Sequence, residues 1–354
     1  MRHRWDPRAP DPGALVRPVR VDPTGAAGPT RRQAEGPYWR STSPRFHVPV
    51  DTDSEKVEQR ILEQSMTMPA DGAVTGWAAC RLHGVNFCDG LARDGRTRLP
   101  VPIDVGPRGF LPRSPDVRPV FRALSDTDRA VRHGIATVTV ERATFDAVLL
   151  APNLVEAVVA IDVVAAAALM SVRMLREYAA AQRFRKSRVD AAVPLASEHS
   201  RSPNETRLRL IAEQAAGLPR LLVNCPVHDQ QGRLLGIADL LDLHAGMVLE
   251  FQGADHRTAV RQTADERKEA AMRRVGLEFV GVTGIDLGDE ELVVRRILEA
   301  RERAHFKGES KRRWEARRPP DDLHDQITTE RVLRDLYTAQ EAARLPDIRE
   351  LRGY

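Results

Sequence analysis

The stretch Ile237–Gly253 reads I-A-D-L-L-D-L-H-A-G-M-V-L-E-F-Q-G. Its apolar residues predict a strand carrying Asp239, a turn at Ala245-Gly246, and a second strand carrying Glu250 and Gln252. Strand side chains alternate with period two, so Glu250 and Gln252 share one face, and Asp239 joins them if the two strands pair as a hairpin. Ile237, Leu240, Leu241, Val248, Leu249 and Phe251 make both strands apolar on more than one face, the pattern of central strands. Two carboxylates in the middle of such a sheet are costly to desolvate, and a hard divalent cation, Mg2+ or Mn2+, is a common compensation. Asp239 and Glu250 are therefore the candidate metal ligands, and Gln252 is the group that orients a water or contacts a phosphate. The rival reading of the two carboxylates is a pair of solvent-facing residues at a sheet edge.

Outward from the hairpin, Ser202-Pro-Asn-Glu205 is a capping box with proline at the first helical position. It opens a helix to about Ala216, which Gly217 and Pro219 end. Strands are predicted at Leu221–Val227, Leu234–Leu241 and Met247–Phe251, then a helix from about Thr258 to Val275 and a strand at Leu277–Thr283. Helix, three strands, helix, strand is an α/β core of about 90 residues, a size that can fold alone. The preceding half reads as an α+β module. A strand or hairpin is expected at Tyr38–Val50 and a helix at Asp53–Met66, with Thr75 as the cap of a short helix inside Ala73–Leu82. Strands near Pro100–Val105 and Gly134–Val140 precede helices from Ala143 to Phe184, centred on the alanine-rich Val155–Met170. Four segments result: a flexible leader over 1–35, the α+β module over 36–190, the α/β core over 198–290, and a basic helical extension over 291–354 with an amphipathic helix at Thr328–Leu345.

The chain has 354 residues, 42% of them hydrophobic, enough to build cores. Lysine and arginine number 54 against 50 acidic residues, so any basic character is local. Residues 301–320 carry eight basic and three acidic side chains, and Arg312 and Arg313 within them are candidate phosphate contacts; a solvated helix face explains the same charges. Cys80, Cys88 and Cys225 are widely spaced, without the pattern of a zinc site or a disulfide framework, which fits a reducing cytoplasm. No secretory signal is expected. Val155–Val172 contains Glu156 and Asp162 and is too short and too charged for a membrane span, so it reads as a buried helix.

Taken together, Ser202-Pro-Asn-Glu205-Thr-Arg207, Ala238-Asp239, Val248-Leu-Glu250-Phe-Gln252-Gly253, His256-Arg257, Asp265-x-x-Lys268, Met272-x-x-x-Gly276 and Val280-Gly-Val-Thr283 resemble the domain related to very-short-patch-repair endonucleases, with the PD-(D/E)xK pattern. The resemblance covers about residues 198–290 and implies a restriction-endonuclease-like core. Typical members have an aspartate at the place of Gln252 and an arginine at the place of Lys268, so this chain lacks one further metal ligand. By that resemblance Glu205 faces the metal site, although a capping role alone also explains it. His256 donates to the scissile phosphate or moves a proton, or is an exposed loop histidine. Lys268 and Arg257 contact phosphate; for Lys268 the plain alternative is a surface ion pair with Asp265 one turn away. The amino-terminal half, through Arg45-Phe-His-Val-Pro49, Ala73-Val-Thr-Gly-Trp77-Ala-Ala-Cys-Arg-Leu-His-Gly84, Phe87-Cys-Asp-Gly90, Arg142-Ala-Thr-Phe-Asp146 and Leu154–Asp162, resembles the AbiEi-type abortive-infection antitoxins over roughly residues 36–180. That family normally opens with a winged helix-turn-helix, which has no clear counterpart before Tyr38. Without the resemblance, Thr75-Gly-Trp77 and Arg142-x-x-x-Asp146 read as packing and helix-start chemistry.

These readings combine into a cytoplasmic Mg2+- or Mn2+-dependent endonuclease-like protein of defence or toxin–antitoxin type, acting on nucleic acid, DNA before RNA, with a toxin as a possible protein partner and no membrane. The substitution at Gln252 motivates a second expectation: an antitoxin or transcriptional regulator that keeps the nuclease fold, binds nucleic acid and has lost turnover. In a third, the basic tail Arg301–Arg318 docks on a protein partner.

Overall fold

The computed structural model describes residues 15–183, 186–253, 259–304, 306, 308, 311–318 and 320–344, with side chains for all of these except 259–264 and 334–344. Among them the chain forms a mixed α/β structure of three sheets and eleven α-helices. The functional hairpin lies in the third sheet, whose strands run in the order Glu278–Thr283, Met247–Gln252, Leu234–Asp242, Leu222–Asp229, Trp314–Ala316. Neighbouring strands are antiparallel except Met247–Gln252 and Glu278–Thr283, which are parallel and joined by the helix Ala259–Arg274. A parallel pair requires such a crossover.

Both faces of this sheet are covered, as the apolar runs predict. Leu240, Met247 and Leu249 pack with Leu208 of the helix Pro203–Leu210 and Ile297 of the helix Glu290–Arg303. Leu241 and Val248 pack with Met272 and Trp314. The hairpin turn is built by Asp242, whose Oδ1 accepts from His244 N and Ala245 N at 3.0 Å, and by Gly246 at φ +72°, a left-handed conformation glycine adopts without steric cost.

The α+β module holds a five-stranded sheet in the order Val117–Val120, Val101–Asp104, Ala73–Val74, Ile135–Val138, Arg129–Arg132. Beneath it Arg142, 1% exposed, meets Asp104 at 2.8 Å and Asp146 at 2.9 Å. Thr75 occupies an N-cap position but makes no capping bond, contrary to expectation. Its hydroxyl instead donates to Asp146 Oδ2 at 2.6 Å, because the buried carboxylate is the stronger acceptor.

Residues 15–35, expected to be flexible, are folded. Val19–Arg20 pairs with Phe46–Pro49, the Val16 backbone N–H and C=O both bond the side-chain amide of Gln59, and Thr30 and Gln33 form a capping box on a one-turn helix. Pairing and capping satisfy backbone groups that composition alone suggested would stay solvated. Residues 1–14 lie outside the described residues. The segment 291–354 is not purely helical either: Trp314–Ala316 adds an edge strand to the third sheet.

The two halves are fastened together by charge. Helix Leu154–Ala166, capped by Asn153, is the alanine-rich segment, and no helix among the described residues is long and apolar enough to cross a membrane. Its acidic residues face the helix Pro203–Leu210: Asp162 meets Arg209 at 2.9 Å with both side chains 1% exposed or less, and Glu156 accepts from Nε and Nη2 of Arg207, both at 2.8 Å. Asp162 also accepts from Ser197 N and Thr206 Oγ1 at 2.8 Å, so its lone pairs are satisfied without water. The helix Leu323–Arg344 returns to the first half, where Arg331 pairs with Glu141 at 2.6 Å.

Candidate functional site

The ladder of the hairpin runs Asp242↔Met247, Leu241↔Val248, Leu240↔Leu249. The next pair in register is Asp239 opposite Glu250, which places both on one face, as the alternation requires. Here the backbone ladder gives way to side chains. Glu250 Oε1 accepts from Asp239 N at 3.3 Å, and Asp239 Oδ2 accepts from Phe251 N at 2.9 Å. Each carboxylate therefore binds the backbone of the other's strand, which fixes the two groups beside one another. Glu250 is 8% exposed and Asp239 is half-buried, so the edge-of-sheet alternative does not hold.

Burial first, and then the charge of Glu205, raises Asp239 to about 6, while Phe251 N–H, Lys268 and Arg201 oppose the shift. Glu250 is raised to about 7 by burial and then by the charge of Asp239, against the pull of Lys268. The pocket thus holds more negative charge than its surroundings neutralise.

Lys268, from the helix Ala259–Arg274, brings its Nζ to 2.5 Å from Glu250 Oε2 and 3.2 Å from Ile237 O. The plain alternative, a surface pair with the exposed Asp265, is not what forms; Lys268 is part of the carboxylate cluster. It gets there by lying flat over Gly236, where an added Cβ would meet Lys268 Cγ at 2.5 Å. A glycine inside a strand pattern is the sequence signal of such an approach. Gln252 is exposed and its amide lies over Gly281, on the face of the Glu250 side chain.

Glu205 is held as a cap. Ser202 Oγ accepts from Glu205 N at 3.2 Å and donates to Glu205 Oε1 at 3.0 Å, and Oε2 accepts from Arg201 N at 2.9 Å and Asn224 Nδ2 at 2.8 Å. Its charge reaches Asp239, while its two oxygens accept three hydrogen bonds from neighbouring groups. No three His, Cys, Asp or Glu side chains come together as a metal-ligating group among the described residues. Two carboxylates do fit a hard cation, since Mg2+ is commonly bound by one or two carboxylates with water and substrate phosphate completing the shell. Burial raises both groups, with like charge from Glu205 on Asp239 and from Asp239 on Glu250 added to it, and a cation would stabilise their ionised forms.

Two residues that sequence reasoning passed over belong here. Arg201 is exposed and its charge acts on Asp239. Asn224, a polar residue within an apolar strand, is 6% exposed at φ +47°, a left-handed conformation that asparagine tolerates, and its amide bridges His199 O and Glu205. Of the other expected contacts, His256 and Arg257 lie outside the described residues. Arg312 stacks over Trp314 at 5.1 Å, and Arg313 donates to Arg274 O at 2.9 Å, both beside the edge strand Trp314–Ala316. No family model, curated protein or solved structure matches the chain.

Proposed function

We propose that the chain is a metal-dependent phosphodiester hydrolase, a nuclease whose centre is Asp239, Glu250 and Lys268 on a restriction-endonuclease-like core. The observation that carries this reading is the convergence of the half-buried Asp239, the buried Glu250 and the ammonium of Lys268 at the splayed end of a hairpin. Asp239 and Glu250 hold Mg2+ or Mn2+, which when bound supplies Lewis-acid polarisation of the phosphate and a more acidic water. Lys268 replaces from a neighbouring helix the positive charge that Gln252 lacks, opposing the rise of Glu250 and offering its N–H groups to phosphate oxygen. Gln252, exposed beside Glu250, orients water through its amide. Arg201 adds a second cation at the mouth. Glu205 acts at one remove, as the cap that fixes Arg201 N and Asn224 and as a charge that tunes Asp239.

The sequence resemblances support a defence or toxin–antitoxin setting for this activity, in the cytoplasm, with DNA as the preferred substrate. A second reading, a nucleic-acid-binding regulator without turnover, is favoured by one observation: Glu205 is engaged by Ser202, Arg201 N and Asn224, and no three metal-ligating side chains come together among the described residues. The experiment is titration of the full chain with Mg2+ and Mn2+ alongside cleavage of plasmid and oligonucleotide. Saturable binding and cleavage, both lost in Glu250→Ala, support the hydrolase. Tight nucleic-acid binding with no cleavage in either metal refutes it in favour of the regulator.

A further inference from the structure

The edge strand Trp314–Ala316 sets Arg313 against the end of the helix Ala259–Arg274 and the turn between Leu222–Asp229 and Leu234–Asp242. The three elements enclose an open cleft of about 470 Å³, lined by Arg233, Arg274 and Arg313 with Gln230 and Gln231. Asp229 is its one carboxylate. Both its oxygens are consumed locally, Oδ1 by Gln231 N at 3.0 Å and Arg233 N at 2.9 Å, Oδ2 by Arg233 Nε at 2.8 Å. The guanidiniums are positioned rather than loose: Arg313 Nη2 donates to Arg274 O at 2.9 Å, Arg274 Nε to Ala270 O at 3.2 Å, and Gln230 Nε2 to Arg312 O at 3.2 Å. A helix C-terminus favours cations, which helps to hold these two arginines in place. Each guanidinium has five N–H donors, and most of those on Arg233, Arg274 and Arg313 have no acceptor among the described residues. Three cations from segments remote in sequence, facing one cleft with their single counter-charge spent, suit an anion with several oxygens.

The cleft shares a strand and a helix with the carboxylate site. Leu234 lines it and Asp239 lies five residues along the same strand, about 17 Å at a strand's rise of ~3.3 Å per residue. Lys268 and Arg274 are six residues apart on one helix, about 9 Å along its axis. We infer that the cleft of Arg233, Arg274 and Arg313 anchors the phosphate backbone of the nucleic acid whose scissile phosphate lies at Asp239 and Glu250. This rests on the hydrolase reading and extends it. With ~3.4 Å of axis per nucleotide, the anchor meets the strand about five nucleotides from the bond to be cut. Planar guanidiniums recognise phosphate oxygens in pairs, so the contact is to backbone and carries no base preference.

The test is binding of fluorescently labelled duplex DNA to the full chain in EDTA, by anisotropy over a series of NaCl concentrations. Wild type is compared with the variant Arg233→Ala/Arg274→Ala/Arg313→Ala. A control, Arg31→Ala/Arg32→Ala/Arg173→Ala, removes the same charge from exposed positions elsewhere. The cleft variant is expected to bind at least about tenfold more weakly at 100 mM salt, with the slope of log K against log salt reduced by about 2–3, while the control keeps the wild-type slope. Duplexes ending fewer than about five base pairs from the cleavage position should bind wild type and cleft variant equally. The anchor is refuted if wild type binds and cleaves but the cleft variant shows the wild-type slope, or if cleft and control variants lose equally. Failure of wild type to bind nucleic acid at all removes the hydrolase reading and the anchor together.

Discussion

Asp239→Asn removes one charge from the carboxylate cluster and keeps an oxygen for Phe251 N, which Asp239 now serves at 2.9 Å. Asp239 is raised from 3.8 to about 6 in the folded chain. The folded state therefore holds the proton more tightly than the unfolded one. The penalty for carrying this group is absent below about pH 4, grows as pH rises through the interval to about 6, and is fully present above it. At 1.36 kcal/mol per pKa unit the full penalty is about 3 kcal/mol, an upper figure because Glu250 shares the repulsion. In EDTA at pH 8 the variant should thus be more stable than wild type by about 2–3 kcal/mol, a rise in Tm on the order of 5 °C. At pH 4 the two should nearly coincide. Mg2+ at about a thousand times Kd reverses the order at pH 8: wild type gains about 4.1 kcal/mol, and the variant, having lost a ligand, gains little. Differential scanning calorimetry at pH 4, 6 and 8, with and without Mg2+, reads all of this. A difference between the two proteins that does not change with pH, or a variant less stable than wild type at pH 8 in EDTA, would refute the account of a repulsive, cation-seeking pair.

Lys268→Ala should lower the cleavage rate by on the order of 10²–10³, the usual cost of losing a preorganised donor, while Lys268→Arg retains most of it. With the ammonium gone, Glu250 rises further, so metal binding followed by calorimetry should shift to higher pH than in wild type. Arg209→Ala leaves Asp162 buried without its partner and should destabilise by about 3–5 kcal/mol in denaturant unfolding. A chain starting at residue 198 should accordingly be much less stable than the core's size alone suggests. Ser202→Ala removes the cap and should cost about 1 kcal/mol in the same assay, with a smaller effect on metal affinity because Glu205 keeps Arg201 N and Asn224.

Much of the carboxyl-terminal core was legible in the sequence because its signals are local. The box at Ser202–Glu205 marked the helix start, which lies at Pro203, and the apolar runs marked strands found at Leu222–Asp229, Leu234–Asp242, Met247–Gln252 and Glu278–Thr283. Period-two alternation was enough to put Glu250 and Gln252 on one face. Less was legible in the first half, where the short strands Val117–Val120 and Arg129–Arg132 are mostly exposed on alternate residues and carry arginine. With little apolar pattern, their pairing is set by neighbours rather than by composition.

The sequence by itself determined which strands would be central, and that a pair of carboxylates would sit among apolar neighbours, because both follow from side-chain spacing along a few residues of backbone. Only the tertiary structure decided what stands against those carboxylates. Lys268 reaches Glu250 across 18 residues, and Arg209 reaches Asp162 across 47, through packing of helices on a sheet and on each other. No local period encodes such distances. They arise where burial makes an uncompensated charge too costly to leave alone.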